Sequence, residues 1–148
     1  MARLLERADQ LGLLRELLDD ARDGRGHFVC VCAEAGGGKS SLIQAFSDSI
    51  AAQATLLTGW CDPFETPRPA GPLLDMGAGL GATVVQILRE EGRTGLFDAV
   101  YAELGSSQRP TVLIVEDAHW ADGTTLDFLR FIVHSFPTRR SSDRKSVV

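Results

Sequence analysis

Apolar residues fall in two different rhythms along this chain. Between residues 3 and 22, Leu4, Ala8, Leu11, Leu14 and Leu18 recur at steps of three and four, with charges over much of the remaining surface. That spacing predicts an amphipathic helix, ended by the run from Asp23 to Gly26. "HFVCVC" (27–32) is instead short, apolar throughout and rich in β-branched residues, which predicts a strand buried on both faces. After a glycine run, "KSSLIQAFSDSI" returns to the helical rhythm, with Leu42, Ile43, Phe46 and Ile50 on one face. "ATLLTGWC" (54–61) predicts a second strand. Four of the six prolines then lie between Pro63 and Pro72, where an irregular loop is expected. Residues 73–105 predict two helical pieces, interrupted around Gly92 to Gly95. "TVLIVED" (111–117) is the strongest strand signal, four branched aliphatics running into two acids. Asp122 is placed to cap a final helix with Leu126, Leu129 and Val133 on one face.

Strands alternating with helices predict an α/β fold with a parallel sheet. In such sheets ligands bind at the carboxyl ends of the strands. The glycine run and the Glu116–Asp117 pair each follow such an end, and that coincidence says more than either motif alone.

Composition narrows the class. The chain has 148 residues, the size of one domain, and is 44% hydrophobic and 24% charged, as expected of a globular protein in water. The longest weakly polar region, "GPLLDMGAGLGATVVQIL", is broken by Asp75 and four glycines, so no membrane span is expected. The opening "MARLLERADQ" mixes Arg with Glu and Asp and lacks the apolar core of a secretory leader. Three cysteines without a second Cys-x-Cys or Cys-x-x-Cys fit a reducing, cytoplasmic setting. Cys30 and Cys32 are expected on one side of the 27–32 strand, as buried small apolar residues rather than metal ligands. A formal charge of −5 argues against a nucleic-acid surface spread over the whole chain.

The stretch "CAEAGGGKSSL" (32–42) carries the chemistry. Successive glycines let backbone N–H groups converge on phosphate oxygens without Cβ clashes. The helix opening near Lys39 adds its unpaired N–H groups and the positive end of its dipole. Lys39 would reach the β and γ phosphates and the Ser40 hydroxyl would ligate Mg²⁺. Ala33 stands where G-x-x-x-x-G-K-[ST] has its first glycine; it is tolerated at negative φ and strained at positive φ. The alternative is a glycine-rich turn with a solvated lysine. Glu116 and Asp117 would hold the metal through water and orient the attacking water; the alternative for them is turn and capping chemistry.

These stretches resemble P-loop ATPases of the AAA-related and STAND type, and more narrowly the N-terminal ATPase module of large LuxR-family transcriptional regulators. "AEAGGGKSSL" is similar to the family's G-E-A-G-I-G-K-T-x-L, differing at Ala33, Gly37 and Ser40. "VLIVEDAHWAD" is close to its second motif, "CDPFETPRPAGPLLDM" is similar to a proline-rich linker of the LuxR-type branch, and "LLERADQLGLL" resembles its V-G-R-E helix, with Arg7 at the arginine position. The resemblance covers residues 3–133. It implies a P-loop NTPase parallel sheet flanked by helices, truncated before its later strands, with ATP and Mg²⁺ as cofactors. The implied nucleotide contacts are Arg7, Glu34, Ala35, Gly36, Gly37, Gly38, Lys39, Ser40 and Ser41. Ser40 and Glu116 would serve the metal. Asp117 and Glu116 would be the catalytic pair, their order inverted from the commoner Asp-Glu, which leaves open which is the base. Slow hydrolysis would suit an ATP/ADP switch. DNA would be reached only through a segment absent from this chain, and the complete protein would self-associate in response to nucleotide.

The end of the chain reads differently. "FPTRRSSDRKSVV" (136–148) resembles translated sequencing adapter: residues 138–148 can be back-translated into an inverted repeat centred on the Asp143 codon. The expected division is therefore residues 1–135 as the N-terminal part of an ATPase domain and 136–148 as a non-native tail. Without the tail the formal charge moves from −5 to −8, since four positive charges and one negative leave with it. The strand that lies between the two motif-bearing strands in the resembled fold would then be missing, exposing two apolar edges. Weak ATP binding or aggregation is expected of such a chain. Two other readings stand beside the ATPase switch: a P-loop phosphotransferase on a small molecule, whose acceptor residues are not evident, and a nucleic-acid-binding protein acting through the basic tail.

Overall fold

The computed structural model describes residues 2–34, 36–90 and 93–135, with side chains from Arg7 onward. They divide into two compact units: residues 2–54 with Ser135, and Thr55–His134. Ala35, Gly92 and the whole tail (136–148) lie outside the described residues, as does the Leu4 side chain.

In the first unit the helical rhythm gives α1 (Ala2–Arg22) and α2 (Lys39–Ile50). Leu14 and Leu18 of α1 and Leu42, Phe46 and Ile50 of α2 are buried, as their spacing predicts. Polar contacts flank this apolar seam: Arg15 Nε donates to Ser49 Oγ at 3.4 Å, and Arg22 bonds the Gln53 amide. In the last turn of α1, Asp20 accepts Arg25 at 2.6 Å and pairs with His27 Nε2 at 3.0 Å.

Residues 27–32 correct the sequence reading. They form no strand, and Cys30 and Cys32 are exposed rather than buried. Phe28 is 46% exposed. Val29 and Val31 alternate with them and are half-buried. The two-residue period survives, but a strand exists only as one member of a hydrogen-bonded pair. Among the described residues the paired strands are β1 and β2 alone.

The second unit is mixed α/β, a two-stranded parallel sheet flanked by helices, as a P-loop NTPase fold without its later strands would give. β1 (Thr55–Trp60) and β2 (Thr111–Glu116) run in register from Thr55 opposite Thr111 to Trp60 opposite Glu116. The proline-rich stretch is irregular up to Ala70, and α3 (Gly71–Met76) opens with Pro72 in its first turn, where a missing N–H is harmless. A 3₁₀ turn (Gly77–Gly79), α4 (Ala82–Arg89) and α5 (Leu96–Ser106) follow. The helical region therefore falls into three α-helices rather than two, with an extra break at Gly81, whose φ of 95° suits glycine.

Leu73, Met76, Leu80, Val84, Leu88, Leu96, Val100 and Phe128 form the buried core of this unit, with Leu57, Leu113 and Val115 of the sheet packed against it. Gly59 makes that packing possible: a Cβ there would meet the Pro72 carbonyl oxygen at 2.4 Å. The last helix, α6 (Gly123–Ser135), buries Thr125 and Phe128, while Leu126 is 41% exposed. The buried face is therefore turned from the predicted Leu126–Leu129–Val133 row, because Phe128 fills the space beside Phe97 (ring centroids 5.5 Å apart).

Candidate functional site

The glycine loop rests on two left-handed residues. Gly36 has φ 77° and Gly38 φ 83°, where any side chain would be strained. Gly38 immediately precedes α2, so the unpaired N–H groups of that helix begin at Lys39. The Leu42 N–H bonds the Gly38 carbonyl at 3.0 Å, closing the first helical turn.

Gly37 is confined by its neighbours. Its N–H donates to the Glu34 carbonyl at 2.8 Å, and a Cβ on it would lie 2.7 Å from the Ala33 methyl and 2.8 Å from the Glu34 oxygen. The departure at Ala33 is thus matched at Gly37: the methyl at position 33 takes the room a side chain at 37 would need. The backbone at Gly36, Gly37 and Gly38, which carries no side chain, fits the approach of a phosphate group.

Lys39 is exposed and its Nζ donates to the Ala33 carbonyl at 3.1 Å, at the other end of the loop. Ser40 and Ser41 are exposed in the first turn of α2, and Glu34, Gly36 and Gly37 are exposed in the loop. From α1, Arg7 Nη2 donates to the Gly38 carbonyl at 3.3 Å. The structure therefore gathers Arg7, Glu34, Gly36, Gly37, Gly38, Lys39, Ser40 and Ser41 in one unit; Ala35 is outside the described residues.

Glu116 and Asp117 belong to the other unit. Glu116 is the last residue of β2, and its carbonyl accepts the Cys61 N–H at 3.1 Å, carrying the ladder one residue past β1. Asp117 is exposed and left-handed (φ 55°, ψ 40°), and its carbonyl accepts the Trp120 N–H at 2.9 Å. Aspartate is among the few residues that accept this conformation, which here starts the 3₁₀ turn Ala118–Trp120. Both carboxylates thus stand at the carboxyl end of a parallel strand, where the sequence pattern put them.

Asp122 caps α6 as expected, accepting the Thr124 and Thr125 N–H groups at 3.2 and 3.3 Å and the Thr125 hydroxyl. It also accepts the Ala70 N–H at 3.2 Å. Burial pushes its carboxyl up, but the Thr125 hydroxyl and the Ala70, Thr125 and Thr124 N–H groups outweigh that and hold it below its ordinary value.

Sequence reasoning gave no role to Arg68. Its guanidinium takes Asp62 through Nε and Nη2 at 2.8 and 3.0 Å, and Asp75 through Nη1 and Nη2 at 2.9 and 3.4 Å. Asp75 also accepts the Trp60 N–H at 3.0 Å. Two forked pairs on one arginine tie the proline-rich loop to the end of β1 and to α3. No local pattern announces this, because the two acids lie six and seven residues to either side. Next to it Cys61 is buried, its thiol pushed up by burial and then by the charges of Asp122, Asp117, Asp62 and Asp75.

Among the described residues no group of three or more His, Cys, Asp or Glu side chains is placed to hold a metal ion. A magnesium nucleotide does not need one, since Mg²⁺ takes one or two protein oxygens together with phosphates and water. Among the same residues no helix is long and apolar enough to cross a membrane.

A family model described as the AAA ATPase domain matches residues 3–145, a span that takes in the glycine loop, both strands and ten residues of the basic tail. No curated protein and no solved structure gives a significant match. Nucleotide binding and hydrolysis, with ATP as the nucleotide and usually Mg²⁺ beside it, are what this family implies. The match takes in all but a few residues at either end, and the chain belongs to the AAA ATPase domain family.

Proposed function

We propose that the chain is the nucleotide-switch module of a larger signalling or transcriptional regulator of the LuxR and STAND kind, binding ATP with Mg²⁺ and hydrolysing it slowly. The observation that carries this reading is the cradle itself: two left-handed glycines and a sterically confined third lead into the N-terminus of α2, with Lys39 folded across the loop. In this reading Lys39 leaves the Ala33 carbonyl for the β and γ phosphates, and the loop N–H groups and Ser41 hold the rest of the phosphate chain. Arg7 braces the loop through Gly38. Ser40 and Glu116 are the residues that would hold Mg²⁺, the second through water, and bound Mg²⁺ would offset charge on the phosphate oxygens.

Asp117 and Glu116 orient and deprotonate the attacking water, and their inverted order supports slow turnover. Slow turnover lets the ATP and ADP states persist long enough to signal, through self-association of the complete protein and a DNA-binding segment outside this chain. The proline-rich linker and the His119–Asp122 ending support the LuxR-type assignment, and Asp122 joins the two by its bond to Ala70. The setting is cytoplasmic. Residues 1–135 carry the proposal; residues 136–148 have no part in it.

Titration with a fluorescent ATP analogue, with and without Mg²⁺, tests the reading. Saturable binding that is strengthened by Mg²⁺ and lost in Lys39→Ala is expected. Equal binding by the variant and the parent would overturn the phosphate-site assignment.

A further inference from the structure

The proline-rich loop between β1 and α3 meets the segment 116–122 at both of its ends. At its start the Cys61 N–H bonds the Glu116 carbonyl at 3.1 Å, and at its close the Ala70 N–H bonds the Asp122 carboxylate at 3.2 Å. The first of these bonds holds the peptide unit that joins Glu116 to Asp117. Between its ends the loop is closed on itself by Arg68. The backbone N–H and the Nε of Arg68 both donate to Asp62 Oδ2, at 3.0 and 2.8 Å, one residue after Cys61. Nη1 donates to Asp75 Oδ1 at 2.9 Å, and the other oxygen of Asp75 accepts the Trp60 N–H, one residue before Cys61. Cys61 is thus flanked on both sides by bonds that converge on one guanidinium. Forked pairs of this kind hold their geometry better than a single surface ion pair. Pro63, Pro67 and Pro69 fix φ at three positions within the loop, which leaves it few ways to absorb a displacement.

We infer that Arg68 is a positioning residue for Glu116 and Asp117: its forks to Asp62 and Asp75 brace the proline-rich loop, and the loop fixes the acid pair through the Cys61 N–H. Asp117 turns the chain at φ 55° immediately after the held peptide, so a rotation of that peptide swings the two carboxylates relative to each other. Misplacement of a reacting group by about 1 Å costs on the order of a hundredfold in rate. Charge acts in the same direction. Asp62, Asp75, Asp117 and Asp122 all bear on Cys61, and Arg68 pairs with two of the four. Without it, two uncompensated carboxylates would stand in the neighbourhood of the acid pair. The effect on turnover rests on the reading of Glu116 and Asp117 given above; the brace itself does not.

Two measurements on the full chain separate these. Hydrogen exchange should show the amides of Trp60, Cys61 and residues 116–122 opening faster in Arg68→Ala than in the parent. Unchanged exchange in both stretches would overturn the brace. Steady-state ATPase assays should find kcat lower in Arg68→Ala by about tenfold or more, with affinity for the fluorescent ATP analogue without Mg²⁺ within about twofold of the parent. Affinity that falls in step with kcat would mark a general loss of structure and overturn the positioning role. Arg68→Lys keeps the charge but cannot fork two carboxylates, so its kcat should also fall, by less than that of Arg68→Ala. Full turnover by Arg68→Lys would overturn the part played by the forks. In an Asp117→Asn background Arg68→Ala should cost little more, because the group it positions is already gone; strict additivity would overturn the link to Asp117. If exchange opens as expected while neither parent nor variant turns over ATP, the hydrolysis reading fails and the brace stands.

Discussion

The Asp122 carboxylate receives the backbone N–H of Ala70 at 3.2 Å, across 52 residues of sequence. Ala70 is fully buried and left-handed, with φ 57°, immediately before α3. One carboxylate therefore caps α6 and pins the end of the proline-rich loop. Asp122→Ala should lower stability by about 1–2 kcal/mol for the lost cap, and by more for the stranded Ala70 N–H. Denaturant unfolding checks this, and Asp122→Asn, which keeps an acceptor, should lose less.

The same residue sets a pH dependence. Its carboxyl is held below the ordinary value by its hydrogen bonds, so the folded state binds that proton less readily than the unfolded chain. The stabilisation is complete above the unfolded-state value and is lost as pH falls through the folded-state value. Unfolding midpoints measured from neutral pH into the acid range should therefore fall more steeply for the parent than for Asp122→Asn.

Ala33 and Gly37 should behave as a pair. A methyl at Gly37 would stand 2.7 Å from the Ala33 methyl, so Gly37→Ala alone should weaken nucleotide binding by displacing the loop. Adding Ala33→Gly removes one of the two obstacles and should recover part of the affinity, while the Glu34 carbonyl at 2.8 Å keeps the recovery incomplete. A double-mutant cycle on ATP-analogue affinity measures the coupling; strict additivity would contradict the packing described.

Gly59 offers a test of the sheet unit apart from the loop. Ala at this position places a carbon 2.4 Å from the Pro72 carbonyl oxygen, so α3 must move off β1. A loss of about 1–3 kcal/mol in unfolding free energy is expected, as for other overpacked positions. Hydrogen exchange should report the opening in residues 71–76 first.

Glu116 and Asp117 should separate by phenotype. Asp117→Asn keeps a residue that tolerates φ 55° and is exposed, so folding should be unaffected and only turnover should fall. Glu116→Gln should raise the Mg²⁺ concentration needed for binding. Steady-state ATPase assays with Mg²⁺ titration distinguish the two, and identical profiles would remove the division of roles.

What the sequence by itself determined here is local. The three- and four-residue spacing of Leu14, Leu18, Leu42, Phe46 and Ile50 specifies two helices and their buried faces. The aliphatic runs at 55–60 and 111–116 specify strands, and the glycines before Lys39 specify a turn open to left-handed residues. Each of these follows from backbone periodicity or from the lack of a Cβ, properties that a short window contains. Tertiary structure decided the rest. Whether 27–32 is a strand depends on a hydrogen-bonding neighbour, and with that pairing absent among the described residues its cysteines face solvent. Which side of α6 is buried depends on the gap beside Phe97 that Phe128 fills. The bonds of Asp122 to Ala70 and of Arg68 to Asp62 and Asp75 depend on where the folded loop brings its ends, and a polar side chain's distant partner leaves no period in the sequence to read.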